Sequence, residues 1–161
     1  MEGVDKPPEL KGMVPRAFDQ IFDHIAASSS AQFLVRASFL EIYNDAVLDL
    51  LADNASGKAE PLDLKEDPDK GVYVKDLKLC VVKTVQEINA LAILGRKSRK
   101  TGSTMMNRES SRSHCLFCIM VETSEVGADG EQHIRAGKLN MVDLAGSGQG
   151  REAHTKRIDK D

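Results

Sequence analysis

The sequence predicts an α/β domain, because segments with the apolar period of a helix alternate with unbroken apolar runs of strand length. Three observations carry this. Phe18, Ile21, Phe22 and Ile25 recur at i, i+3, i+4 and i+7, one stripe of a helix. Residues 32–43 are a continuous apolar and aromatic run that suits a largely buried strand. Two further apolar runs, 114–121 and 134–143, flank Gly127-Ala128-Asp129-Gly130, a hairpin signal.

Taken in order, residues 1–13 carry Pro7-Pro8 and two glycines without periodicity and read as an irregular lead-in. Pro15 suits a first helical position, so a helix is expected over 15–27, ended by Ser28-Ser29-Ser30. After the strand at 32–43, Asn44 reads as the N-cap of a short helix carrying Val47, Leu50 and Leu51, with Asp45 near its positive end. Residues 53–71 are polar and rich in turn formers, which predicts a surface lobe with short strands near 62–64 and 72–74. Residues 77–82 read as another strand. Thr84-Val85-Gln86-Glu87 is a capping box, and Ile88, Leu91 and Ala92 give the next helix an inward face up to about Gly95. Arg96, Lys97, Arg99 and Lys100 then read as a solvated C-terminal helix end favoured by the dipole. From Gly148 onward the periodicity stops, so 148–161 is expected to be a flexible tail and 1–147 the folded unit.

Composition narrows the function classes. With 161 residues, 41% hydrophobic and 29% charged, the chain has the make-up of one globular domain. A net charge of -3 argues against a strongly basic nucleic-acid binder. No apolar run approaches the ~18 residues needed to span a bilayer, and the start lacks the regions of a signal peptide, so the cytosol is the expected address. Cys80, Cys115 and Cys118 fit a reducing compartment; on a strand Cys115 and Cys118 point to opposite faces and cannot converge on one metal ion.

The chemistry concentrates in two places. Asn107-Arg108-Glu109-Ser110-Ser111-Arg112-Ser113-His114 offers hydroxyls suited to Mg²⁺ and phosphate, and Val142-Asp143-Leu144-Ala145-Gly146-Ser147 places a carboxylate at the end of an apolar strand with a glycine amide three residues on. His114 closes the first run and opens a strand, which favours a structural hydrogen bond over a catalytic base. Ser111 lacks the Gly-x-Ser-x-Gly elbow of a nucleophile.

In this order, the two runs resemble the switch motifs of a kinesin motor domain. So do Phe33 to Asn44 with Asp49-Leu50-Leu51, Gly71-Val72-Tyr73-Val74-Lys75, and Arg135 to Asn140. The wording is most similar to the kinesin-2 subfamily, particularly its homodimeric members of cilia and dendrites. The resemblance implies a P-loop NTPase-like core with a mixed central sheet flanked by helices, working on ATP with Mg²⁺ and binding microtubules, in the cytoplasm on the cytoskeleton and extending to the cilium. It implies nucleotide binding by Asn107, Ser110, Ser111, Ser113, Asp143 and Gly146, with Ser111 and Asp143 on the metal and Ser110 and Arg112 in catalytic roles. Arg112 in the family bonds to a Glu of the second switch, a position occupied here by Gly148. It also implies a secondary tubulin contact through the lobe that carries Lys58, Lys65, Lys70 and Lys75, which are countered by Glu60, Asp63, Glu66, Asp67 and Asp69.

No G-x-x-x-x-G-K-[ST] run occurs in the 161 residues. The expectation is therefore a motor core that begins after the ATP-binding helix and ends before the main microtubule-binding helices and the dimerisation elements. Such a chain is expected not to hydrolyse ATP alone. Two other outcomes stand beside it: a non-hydrolysing remnant that binds microtubules or a motor partner, and a truncated product with an exposed sheet interior and no function.

Overall fold

The computed structural model describes residues 11–52, 60–68, 71–105 and 112–146. Within these, helix α1 spans Met13–Ala27, strand β1 Gln32–Tyr43, β2 Ala46–Asp49, β3 Pro61–Leu62, β4 Leu64–Asp67, β5 Gly71–Val74, β6 Cys80–Val82, helix α2 Val85–Met105, β7 His114–Val126 and β8 Gln132–Asp143. The main sheet runs β3-β2-β1-β7-β8, with β6 also paired to β1, while β4 and β5 form a separate two-stranded sheet. Every pairing among the described residues is antiparallel, so this is the antiparallel share of the expected mixed sheet.

Alternation along β1 and β7 decides which face is buried. Val35, Ala37 and Phe39 of β1 and Cys115, Phe117 and Ile119 of β7 join Val14 and Phe18 of α1 and Ile88 and Ala92 of α2 in one core cluster. At its centre Phe117 packs against Phe18, with ring centroids 5.2 Å apart, and against Phe39 at 5.1 Å. Cys118, three residues from buried Cys115, is half-buried, and burial pushes its thiol up from the ordinary range. Strand β8 ends the sheet and is exposed along nearly its whole length, Met141 alone being buried within it.

Several local expectations are corrected. Asn44 does not cap a helix: Asn44 and Asp45 take positive φ of 49° and 62° as the two-residue loop of a hairpin, with Tyr43 opposite Ala46. Val47 therefore lies on strand β2, while Leu50 continues the pairing through its N–H to the Phe39 carbonyl at 2.9 Å. The lobe divides, because Pro61–Leu62 pairs with β2 of the main sheet and only β4 and β5 stand apart. The strand expected at 77–82 shrinks to Cys80–Val82, since the Lys78 N–H is taken by the Asp49 carboxylate at 2.8 Å. Helix α1 begins two residues before Pro15, at Met13. At α2 the capping box forms, with the Glu87 N–H on Thr84 Oγ1 at 3.1 Å and the Lys83 N–H on the Glu87 carboxylate at 2.6 Å.

Gly95 does not end α2, which continues to Met105. The glycine lies where the helix crosses β1 closely: a Cβ there would sit 2.2 Å from Phe39 Cδ1. Alanine gains about 1 kcal/mol of helix propensity, but Phe39 is wedged against Phe117 and cannot swing away cheaply. Gly95→Ala is therefore expected to lower stability by a net ~1–2 kcal/mol in urea unfolding; a stabilised variant would show that Phe39 moves freely.

The β7–β8 hairpin turns through residues 127–130, with Gly130 at φ +79°. Asp129 accepts from the Glu131 N–H at 3.0 Å and from His133 Nε2 at 2.9 Å. Those bonds, the Glu131 amide first and His133 second, hold its carboxyl below the ordinary carboxylate range. A lowered carboxylate stabilises the fold above its unfolded pKa, and the contribution is lost as pH falls through the folded value. The Glu131 amide is thus expected to lose protection relative to its intrinsic exchange rate on acidification through the lowered Asp129 value, while amides at the centre of β7 keep theirs.

Candidate functional site

The register of β7 and β8 brings the two sequence motifs together, since Cys115 lies opposite Asp143. Immediately beyond this pair, His114 Nδ1 accepts the Ala145 N–H at 3.1 Å. That bond leaves the ring proton of a neutral His114 on Nε2. The expected structural hydrogen bond of His114 is thus present, and it joins the end of the first motif to the second.

Ser113 is almost fully buried. Arg99 Nη2 donates to its hydroxyl at 2.9 Å and to its carbonyl at 3.4 Å, while Arg99 Nε donates to the Glu41 carboxylate at 3.2 Å. Arg112, just before it, is exposed. Asp143 and Gly146 are exposed, at and just past the end of β8. Arg96, Arg99 and Asp143 share a shallow cleft floored by Phe39, Phe117 and Met141.

Of the other residues singled out in the sequence, Asn107, Ser110 and Ser111 lie outside the described residues, as do Lys58 and Lys70. Lys65 and Lys75 lie on the lobe, away from the cleft by sequence and by sheet, on and just after β4 and β5. The Lys75 N–H donates to the Asp63 carbonyl at 2.8 Å, and its ammonium stands 3.9 Å from the Asp76 carboxylate.

The cation cluster of α2 is corrected in role. Because the helix runs on past Lys100, these residues lie within it, and Arg99 turns inward. Two sequence signals pointed there. Glu41 is a lone carboxylate within an apolar strand and needs a partner when buried. Ile88, Ala92, Gly95 and Arg99 fall at i, i+4, i+7 and i+11, the stripe that faces β1.

Compared with known proteins, residues 1–160 match the family described as the kinesin motor domain. The kinesin-like proteins KIF3C of Pongo abelii and Mus musculus are each 53% identical over 147 residues, 91% of this chain, in agreement with the kinesin-2 resemblance of the sequence. The chain spans 18% of those proteins' length. The solved structure described as "Structure of a fast kinesin: Implications for ATPase mechanism and interactions with microtubules" superposes on 97% of this chain and 43% of its own, with a TM-score of 0.82 and 34% identity. The antiparallel sheet under its two helices is thus a partial kinesin core, and the chain belongs to the kinesin motor domain family.

Proposed function

We propose that this chain is the switch-bearing part of the head of an ATP-driven microtubule motor of the kinesin-2 type, associated with the cytoskeleton and, at its finest, with cilia. The observation that supports it most directly is the 3.1 Å hydrogen bond from the Ala145 N–H to His114 Nδ1, which couples the serine-rich segment to Asp143–Gly146. Motion at either segment is then felt by the other, as a γ-phosphate sensor requires.

The described donors fit ATP with Mg²⁺. Asp143 offers an exposed hard-oxygen ligand, and a magnesium ion held chiefly by phosphates and water needs only one or two protein carboxylates or hydroxyls. Asp143 would hold the ion, with Ser111 added by resemblance, and the Gly146 amide would donate to a terminal phosphate. Mg-ATP supplies the transferable phosphoryl group and the metal that neutralises its charge. Arg112 and Ser110, in the catalytic roles carried by resemblance, would orient the attacking water and the phosphate oxygens.

The 161-residue chain alone contains neither the phosphate-cradling lysine run nor a glutamate at position 148. It is expected to bind no Mg-ATP in calorimetry and to release no phosphate with microtubules; measurable turnover would show both elements to be dispensable. The motor reading itself is tested on the endogenous product, sized by a blot against residues 53–75 and pelleted with microtubules. Retention with a non-hydrolysable ATP analogue and release with ATP supports it. Pelleting that ignores nucleotide overturns it.

A second reading, a non-hydrolysing microtubule-binding remnant, draws on the lobe. Leu64, Val72 and Tyr73 are exposed on the separate β4–β5 sheet beside Lys65 and Lys75. It requires salt-sensitive pelleting of the 161-residue chain, and absence of pelleting at low salt removes it. Among the described residues no helix is long and apolar enough to cross a membrane.

A further inference from the structure

Arg99 joins three parts of the fold. From α2 its Nε donates to Glu41 on β1 at 3.2 Å, and its Nη2 donates to the Ser113 hydroxyl at 2.9 Å and carbonyl at 3.4 Å, at the entry to β7. The Glu41 side chain is 8% exposed and that of Arg99 20%, so the pair is shielded from water and its geometry is held. A planar guanidinium presents donors along two edges at once and reaches a carboxylate and a hydroxyl without rotating between them. One residue beyond Ser113, His114 accepts the Ala145 N–H, two residues past Asp143. A continuous line of contacts therefore runs from the buried Glu41 through Arg99, Ser113 and His114 to Ala145.

We infer that Arg99 is a positioning residue: oriented by Glu41, it fixes Ser113 and, through His114, sets the placement of the segment that carries Asp143 and Gly146. Arg99 and Glu41 have no role among the site residues carried by the family resemblance. The inference rests on the proposed function only in treating the two segments as phosphate-sensing, and its structural content does not need nucleotide.

The test is amide exchange and ¹⁵N NMR on the full 161-residue chain, comparing wild type with Arg99→Ala, Arg99→Lys and Glu41→Gln. In Arg99→Ala the Ala145 amide is expected to exchange at least tenfold faster and the His114 Nδ1 resonance to lose its hydrogen-bonded shift, while amides at Ala37 and Ile119 keep wild-type protection. Arg99→Lys is expected to behave the same way, because one ammonium replaces the charge but not the fork; Glu41→Gln shows a smaller change at the same two probes. An unchanged Ala145 amide and His114 signal in Arg99→Ala overturns the inference, and so does full rescue by lysine, which would reduce Arg99 to a charge that fills space. Should Arg99→Ala not fold, Ser113→Ala decides: it removes the hydroxyl contact alone, and an unaltered His114 signal in that variant is equally fatal. Microtubule pelleting of the endogenous product that ignores nucleotide sinks the motor reading and leaves this exchange result standing.

Discussion

Phe117→Ala is expected to lower the unfolding free energy by about 3–5 kcal/mol, the range for truncating a fully packed aromatic. Phe117 is 4% exposed on β7, between two strands and under α1, and its ring touches both Phe18 and Phe39. Removing it leaves a void bounded by the sheet on one side and α1 on the other, and neither can close without breaking backbone pairing. A domain stable by about 5–15 kcal/mol loses a large share of its margin in this way. Phe117→Leu, which keeps most of the volume, should cost clearly less than the alanine. Urea unfolding with an unchanged slope measures both. A loss below about 1 kcal/mol for alanine would mean that the three-ring contact does not hold the helices to the sheet.

Asp49→Ala should cost about 2–5 kcal/mol, by a different mechanism. The carboxylate is buried and serves two backbone donors: Oδ1 accepts from the Leu51 N–H and Oδ2 from the Lys78 N–H, each at 2.8 Å. It closes the turn after β2 and pins the loop before β6 to it. Alanine strands both donors, at about 1–3 kcal/mol for each amide left without a partner. Asp49→Asn keeps one acceptor and turns a donor toward the other amide, so its loss should be intermediate. Hydrogen exchange supplies the local check, since the Leu51 and Lys78 amides should lose protection first. Equal protection in wild type and Asp49→Ala would show that other groups satisfy those amides.

Strong local patterns made the larger elements legible. The stripe Phe18, Ile21, Phe22, Ile25 appears as α1, the run at 32–43 as β1, and the apolar pair around Gly127–Gly130 as β7 and β8, each within a few residues of the expected bounds. These segments carry apolar residues in long unbroken helix-period or strand-length patterns, so period alone decides their type even for β8, which is exposed except at Met141. The order of the two phosphate-type motifs was also readable, because strands joined by a short hairpin must bring their far ends together, as His114 and Ala145 show.

What only the tertiary structure decided lies where one residue type serves two local purposes. Asn caps helices and also tolerates positive φ; at Asn44 the pairing of Val47 and Leu48 back onto β1 selected the hairpin. Glycine ends helices and also admits close packing, and at Gly95 the ring of Phe39 selected the second. Lysines and arginines near a presumed helix end read as solvated until the helix proves longer and Glu41 claims one of them. The amino-acid sequence by itself determined the family, the helix and strand types with the strongest period, and the two motifs whose adjoining ends the β7–β8 pairing brings together. Contacts between residues distant in the chain decided the rest, because the energies separating a cap from a turn, or a surface cation from a buried one, come from neighbours that local sequence does not contain.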